Sequence, residues 1–147
     1  MTISTCTNWL LALALQLGPA QGQARLASNA ICTAVEHSKQ DVYNPDYLAA
    51  LLLITAFGET RFDPSLRGDS GHSCGMFQLK SQNPSTCEAF AGNTYLSAAA
   101  AIHWLVDSAR VCPACPACAY AGGCNNRGAQ AIGLARQVLA SQLVWGF

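Results

Sequence analysis

The sequence is short of charge. Lysine, arginine, aspartate and glutamate make up 11% of its 147 residues, and eight basic side chains cancel eight acidic ones. With no excess of either sign, the chain offers no electrostatic footprint for nucleic acid or an anionic membrane surface. It also lacks a span-length apolar run near its start: Trp9 to Leu17 falls well short of the roughly 20 residues that cross a bilayer. There is no linker that would divide it and no internal repeat beyond a tandem Cys-Pro-Ala triplet. The chain therefore reads as one domain, long enough to bury a core. A hydrophobic content of 51% argues against disorder.

Residues 1–22 contain the apolar run, then Gly18 and Pro19, with small residues at Ala20 and Gly22 that suit a cleavage point. They read as a signal peptide or as a helix at the N-terminus of the mature protein, since the lysine or arginine of an ordinary leader is missing. The folded domain is assigned to residues 23–147. Eight cysteines are too many for ordinary cytosolic use and point to an oxidising destination, secreted or periplasmic. Removing the leader would take Cys6 with it and leave an odd number.

What is present is a pattern of helices around one apolar segment. Leu48 to Phe57 carries Thr55 as its only polar side chain, too apolar all round for a surface helix and suited to one buried through the middle of a domain. Asn44 as N-cap, Pro45 at the first position and Asp46 in the first turn mark its start, so the helix is predicted from Pro45 to Glu59. An amphipathic helix is predicted over 24–40, with Leu26, Ala30, Ile31, Ala34 and Val35 inward. Further helices are expected around Cys87–Phe90 and from a cap at Asn93 or Thr94, the latter with His103 and Trp104 within a broad apolar face and His103 as a core or groove-wall residue. A closing helix over 130–145 carries Ile132, Ala135, Val138, Leu139 and Leu143 on one stripe. Between Arg61 and Gln78, Pro64, Gly68, Gly71 and Gly75 break any helix and predict a turn-rich hairpin.

Glu59 stands where the apolar helix meets this hairpin. The apolar wall disfavours the ion there, as does the negative end of the helix dipole, conditions under which a glutamate serves as a general acid. The alternatives are a residue that caps the helix and points to water, or one paired with Arg61 or Arg67.

Glu59, Phe62 and Pro64, then Gly68-Asp69-Ser70-Gly71, then Ser73-Cys74-Gly75-Met76-Phe77-Gln78-Leu79 resemble the core motif of the lysozyme-like superfamily. The Glu-x-x-Phe-x-Pro opening looks like soluble lytic transglycosylases. The Gly-Asp-Ser-Gly run is closer to goose-type lysozymes and phage muralytic domains, and Ser-Cys-Gly-x-Phe-Gln resembles invertebrate-type lysozymes. The resemblance implies a mainly α, lysozyme-like fold (α+β) whose buried central helix ends in the catalytic Glu59 beside a small β-hairpin lobe. It implies peptidoglycan glycan strands as the partner and cleavage of the bond between N-acetylmuramic acid and N-acetylglucosamine, with neither cofactor nor metal. Lytic transglycosylases work with the glutamate alone. An inverting muramidase would add Asp69, with the two carboxyl groups about 6.5–9.5 Å apart around a water. The local alternative for Asp69 is an Asx-turn, and Asp63, directly before Pro64, also suggests a turn role.

Ser73 and Gln78 match positions that shape the groove floor and bind substrate or the glutamate. Phe77 joins them as a substrate contact, with plain core as its alternative. Tyr120 and Asn125 lie in a segment similar to the family's Tyr-Asn-x-Gly, although Asn does not follow Tyr120 directly. Lys80 stands where goose-type enzymes place an acid. Compact size and Cys-rich loops suit a phage-encoded, virion-associated enzyme or a periplasmic one. The competing class is a non-catalytic glycan binder or a structural component of a virion or envelope assembly. For Cys112, Cys115, Cys118 and Cys124 the expectation is disulfides, with a zinc knuckle or part of an iron–sulfur run as alternatives. Cys74 and Cys87 are placed to staple the Gln78 segment.

Overall fold

The computed structural model describes residues 2–18 and 23–146. Among them are seven α-helices and one small sheet, in the order α1 (Ile3–Leu17), α2 (Ala24–His37), α3 (Pro45–Thr60), β1 (Arg67–Gly68), β2 (Ser73–Cys74), β3 (Leu79–Lys80), α4 (Pro84–Gly92), α5 (Thr94–Val111), α6 (Cys118–Ala121) and α7 (Arg127–Trp145). The expected mainly helical architecture with a small β lobe is present.

Helix α3 is the axis. The Asn44 side chain accepts from the backbone N–H groups of Asp46 at 2.9 Å and Tyr47 at 3.2 Å, satisfying donors that a helix start leaves unpaired. Every residue from Leu48 to Ala56 is buried, because α1, α2, α5 and α7 all pack on this helix. Leu48, Leu51, Leu52 and Leu53 have no exposed surface, and each such burial is worth about 1.5–3 kcal/mol. Thr55 satisfies its hydroxyl within the helix by donating to the Leu51 carbonyl at 2.7 Å. At the far end of the bundle Tyr47 stacks on Trp145 at 5.4 Å, which ties the start of α3 to the end of α7.

The chain leaves α3 through two residues in the left-handed region, Arg61 (φ 49°) and Phe62 (φ 66°). This reversal drives the Phe62 ring into the core, where it is fully buried. The lobe that follows is a three-stranded antiparallel meander, with Gly68 opposite Ser73 and Cys74 opposite Leu79. Strands of two residues cannot hold a sheet alone. Three other contacts hold it: buried Met76, Phe77 and Leu79, a hydrogen bond from the Thr60 hydroxyl to the Met76 carbonyl at 2.8 Å, and the Cys74–Cys87 disulfide to α4.

All eight cysteines are paired, as Cys6–Cys32, Cys74–Cys87, Cys112–Cys124 and Cys115–Cys118. Four disulfides fit an oxidising compartment. Among the described residues, no helix is long and apolar enough to cross a membrane. Residues 3–17, read as a leader or a helix, form α1, which buries Leu10, Leu13 and Ala14 and is joined to α2 through Cys6. The cleavage point expected near Ala20 and Gly22 lies outside the described residues.

Several faces differ from the sequence reading. Leu26 is 41% exposed, and Ala27 and Ser28 take the inward positions of α2. His103 is no core histidine: it lies in water, 3.3 Å from Asp107 one turn on. In α7 the stripe holds only in part, with Leu139 and Leu143 packed against the core. Ile132 and Val138 face outward while Ala129, Gly133 and Ala140 are buried, because α7 packs by close approach. A Cβ at Gly133 would lie 3.0 Å from the backbone of Ala117 and Cys118.

Candidate functional site

Glu59 occupies the last turn of α3, at the rim of a groove of about 330 Å³ between the helical bundle and the β lobe. The lobe side of the groove is lined by Gly68, Asp69, Ser73, Gln78 and Lys80, and the bundle side by Glu59, Trp104, Tyr120, Ala121 and Gly122. That volume falls within the range of small-molecule sites, about 300–1,000 Å³. A larger hollow of about 860 Å³ lies between α1 and α2, but among the described residues no carboxylate lines it.

The surroundings of Glu59 correct the expected apolar wall. Its Oε1 accepts from Arg136 Nη2 of α7 at 3.1 Å, with Glu59 27% and Arg136 12% exposed. The partner is thus neither Arg61 nor Arg67; Arg61 lies over the Phe57 ring at 5.0 Å instead. Gly58 leaves room for the guanidinium, since a Cβ there would lie 3.1 Å from Nη2.

On the opposite wall Asp69 opens a short 3₁₀ turn over Asp69–Gly71, in the left-handed region at φ 49°. Its Oδ2 accepts from the Ser73 hydroxyl and faces Lys80 Nζ at 3.8 Å. The aspartate is therefore held by its own loop as well as open to the groove. Gln78, at φ 50°, donates through Nε2 to the carbonyls of Leu66 at 2.8 Å and Gly75 at 3.0 Å. It cross-links the lobe at the groove floor and lies close against Gly68, where a Cβ would come within 2.8 Å of Gln78 Oε1 unless that side chain moved. Non-glycine residues in this region of backbone space cost about 1–3 kcal/mol each and gather at functional sites. Asp63, the other carboxylate considered, accepts from the Ser65 hydroxyl at 2.6 Å and the Ser65 N–H at 2.9 Å. Those bonds hold its carboxyl below the usual range, and the residue serves its own turn.

Tyr120 comes from α6, which packs on α5 and α7; the Cys112–Cys124 disulfide ties the end of α5 to the loop after α6, and Cys115–Cys118 closes the turn that leads into it. Its hydroxyl donates to the Phe77 carbonyl at 2.6 Å. Burial pushes the phenol far up, the Glu59 charge pushes it further, and Arg136 opposes both. Tyr120 is thus a fixed hydrogen-bond donor rather than a base. Trp104 meets its ring edge-on at 6.1 Å and is 38% exposed, giving the groove an aromatic wall.

Of the residues singled out in the sequence, Glu59, Asp69, Ser73, Gln78 and Tyr120 share this groove. Phe77 does not line it: its ring is fully buried, and it contributes its carbonyl to Tyr120. Asn125 is exposed and lies off the groove. Trp104 and Arg136 were not singled out. Trp104 was placed within the apolar face of its helix and is instead 38% exposed at the groove, and nothing in the sequence joins Arg136 to Glu59. Among the described residues no group of three or more His, Cys, Asp or Glu side chains is arranged to hold a metal. Searches of protein-family models, curated proteins and solved structures find no match.

Proposed function

We propose that this chain is a glycoside-cleaving enzyme of lysozyme-like type. More specifically, it acts as a lytic transglycosylase on the β-1,4 bond between N-acetylmuramic acid and N-acetylglucosamine in peptidoglycan. The observation that carries this reading is the convergence of Glu59 from α3, Asp69, Ser73 and Gln78 from the β lobe, and Tyr120 from α6 on one polar groove with an exposed tryptophan. These are positions matched by the resemblance.

In this mechanism Glu59 gives its proton to the glycosidic oxygen as the C1–O bond breaks and positive charge builds on the muramyl ring. The same carboxylate then takes the proton of the muramyl 6-hydroxyl as that oxygen bonds to C1, closing an anhydro ring and restoring the acid. No water is consumed. Trp104 offers a flat apolar face to a pyranose, and Gln78 and Ser73 hold the loop that forms the floor.

Asp69 supports a second reading, an inverting muramidase in which it activates a water against the opposite face of the sugar. Its engagement by Ser73 and Lys80 favours the first. Disulfides and the wall substrate suit a secreted, periplasmic or virion-associated enzyme, and a virion or envelope assembly remains the setting for a non-catalytic glycan binder. The test is solubilisation of purified peptidoglycan by the wild type and by Glu59→Gln. Loss of the acid is expected to cost on the order of 10²–10⁴ in rate with the fold intact, and an undiminished rate would sink the assignment.

A further inference from the structure

We propose that Arg136 is the positioning residue of Glu59: it grips one carboxylate oxygen from behind and thereby aims the other into the groove. The inference rests on the glycosidase reading. Arg136 lies on α7, outside every segment that carries the resemblance, and reaches Glu59 across 77 positions of sequence. The contact is single-pointed. Nη2 meets Oε1 at 3.1 Å, while among the described residues Oε2 accepts no hydrogen bond. Arg136 does not line the groove, whereas Glu59 does, so the tether comes from the α7 side and leaves the groove side open.

A glutamate in the last turn of a helix has several rotamers, and a proton donor must be held in one of them. A largely buried guanidinium, itself 12% exposed, has little freedom to follow the carboxylate elsewhere. The Gly58 position is consistent with this. It is an exposed place in a helix, where alanine would be the better helix former, yet a Cβ there would lie 3.1 Å from Nη2. The glycine keeps open the path by which Arg136 reaches its partner.

The experiment measures kcat and KM on soluble glycan strands for the wild type, Glu59→Gln, Arg136→Ala, Arg136→Lys and Gly58→Ala, with a thermal melt of each. Misplacing a catalytic group by about 1 Å costs on the order of 10² in rate. Arg136→Ala is therefore expected to lose kcat on that scale with KM nearly unchanged, and to regain part of it when guanidinium ion is added. Arg136→Lys should retain more activity than the alanine variant. Gly58→Ala, which keeps the arginine but crowds it, should lower kcat while melting at or above the wild-type temperature; it decides the matter if Arg136→Ala does not fold. An active wild type and inactive Glu59→Gln, alongside wild-type or raised kcat in the Arg136 and Gly58 variants, overturns this inference alone. So does a rise in KM with kcat untouched. A wild type that releases no product overturns the glycosidase reading and this inference with it.

Discussion

Substituting Gly75 by alanine separates backbone strain from packing at the base of the groove. Gly75 lies at φ +76°, and a Cβ there would come within 2.8 Å of the Phe90 carbonyl oxygen and 3.0 Å of Ser97 Oγ. The left-handed conformation alone costs a non-glycine residue about 1–2 kcal/mol. The Phe90 carbonyl belongs to helix backbone and cannot swing aside, so overpacking adds about 1–3 kcal/mol. The total, about 2–5 kcal/mol, is a large share of the roughly 5–15 kcal/mol that holds a domain together. At about 2–4 °C per kcal/mol for a chain of this size, Gly75→Ala is expected to melt about 5–15 °C below the wild type. Gly71→Ala is the control: φ is +89° with nothing within 4 Å of the added atom, so only the backbone cost of about 1–2 kcal/mol applies. Calorimetric melting of both variants with disulfides intact gives the comparison. Equal melting temperatures for the two would refute the packing argument, and wild-type melting in both would refute the strain as well.

Gly133→Ala should destabilise by about 1–3 kcal/mol despite its helical position, because the added methyl meets the α6 backbone at 3.0 Å. Gly92→Ala, with open space around it, should be neutral or stabilise by about 0.4–1 kcal/mol; denaturant titration showing the reverse order would refute the close-packing account of α7. Alkaline stability provides another check. Burial, followed by the Tyr47 charge, pushes Tyr43 up to about 12, burial raises Tyr47, and Tyr120 is raised further still. The folded chain keeps protons that the unfolded chain releases near pH 10. The resulting stability is complete below that pH and is lost as pH rises toward 12 and beyond. Spectrophotometric titration should show these phenols ionising late, together with unfolding; ionisation of all four tyrosines near pH 10 in a folded protein would contradict this.

Much of the fold was legible because its signals are local. Asn44, Pro45 and Asp46 announce the start of α3, and the unbroken apolar stretch from Leu48 announces its burial. Gly68, Gly71 and Gly75 announce the lobe. Large apolar residues misled where helices touch through small ones. In α7 Ile132 and Val138 were read as inward, but α6 sits so close that a Cβ at Gly133 would already lie 3.0 Å from its backbone. Leu26 likewise faces outward while Ala27 is buried. At the site, Glu59 and Asp69 were readable from their place beside a helix end and a glycine-rich turn. The Arg136 contact was not, since an ion pair spanning 77 positions leaves no trace in spacing. Trp104 was hidden in plain composition: a tryptophan within an apolar helix reads as core until the exact helical phase is known.

Whether Glu59 cleaves a glycan strand lying in the groove is decided by mass analysis of the soluble products from purified peptidoglycan. The wild type is expected to release fragments ending in anhydro-muramyl rings, and Glu59→Gln none. Reducing ends would transfer the second step to Asp69 and water. Intact peptidoglycan after prolonged incubation with folded wild-type protein would mean that Glu59 is not a glycan-cleaving acid.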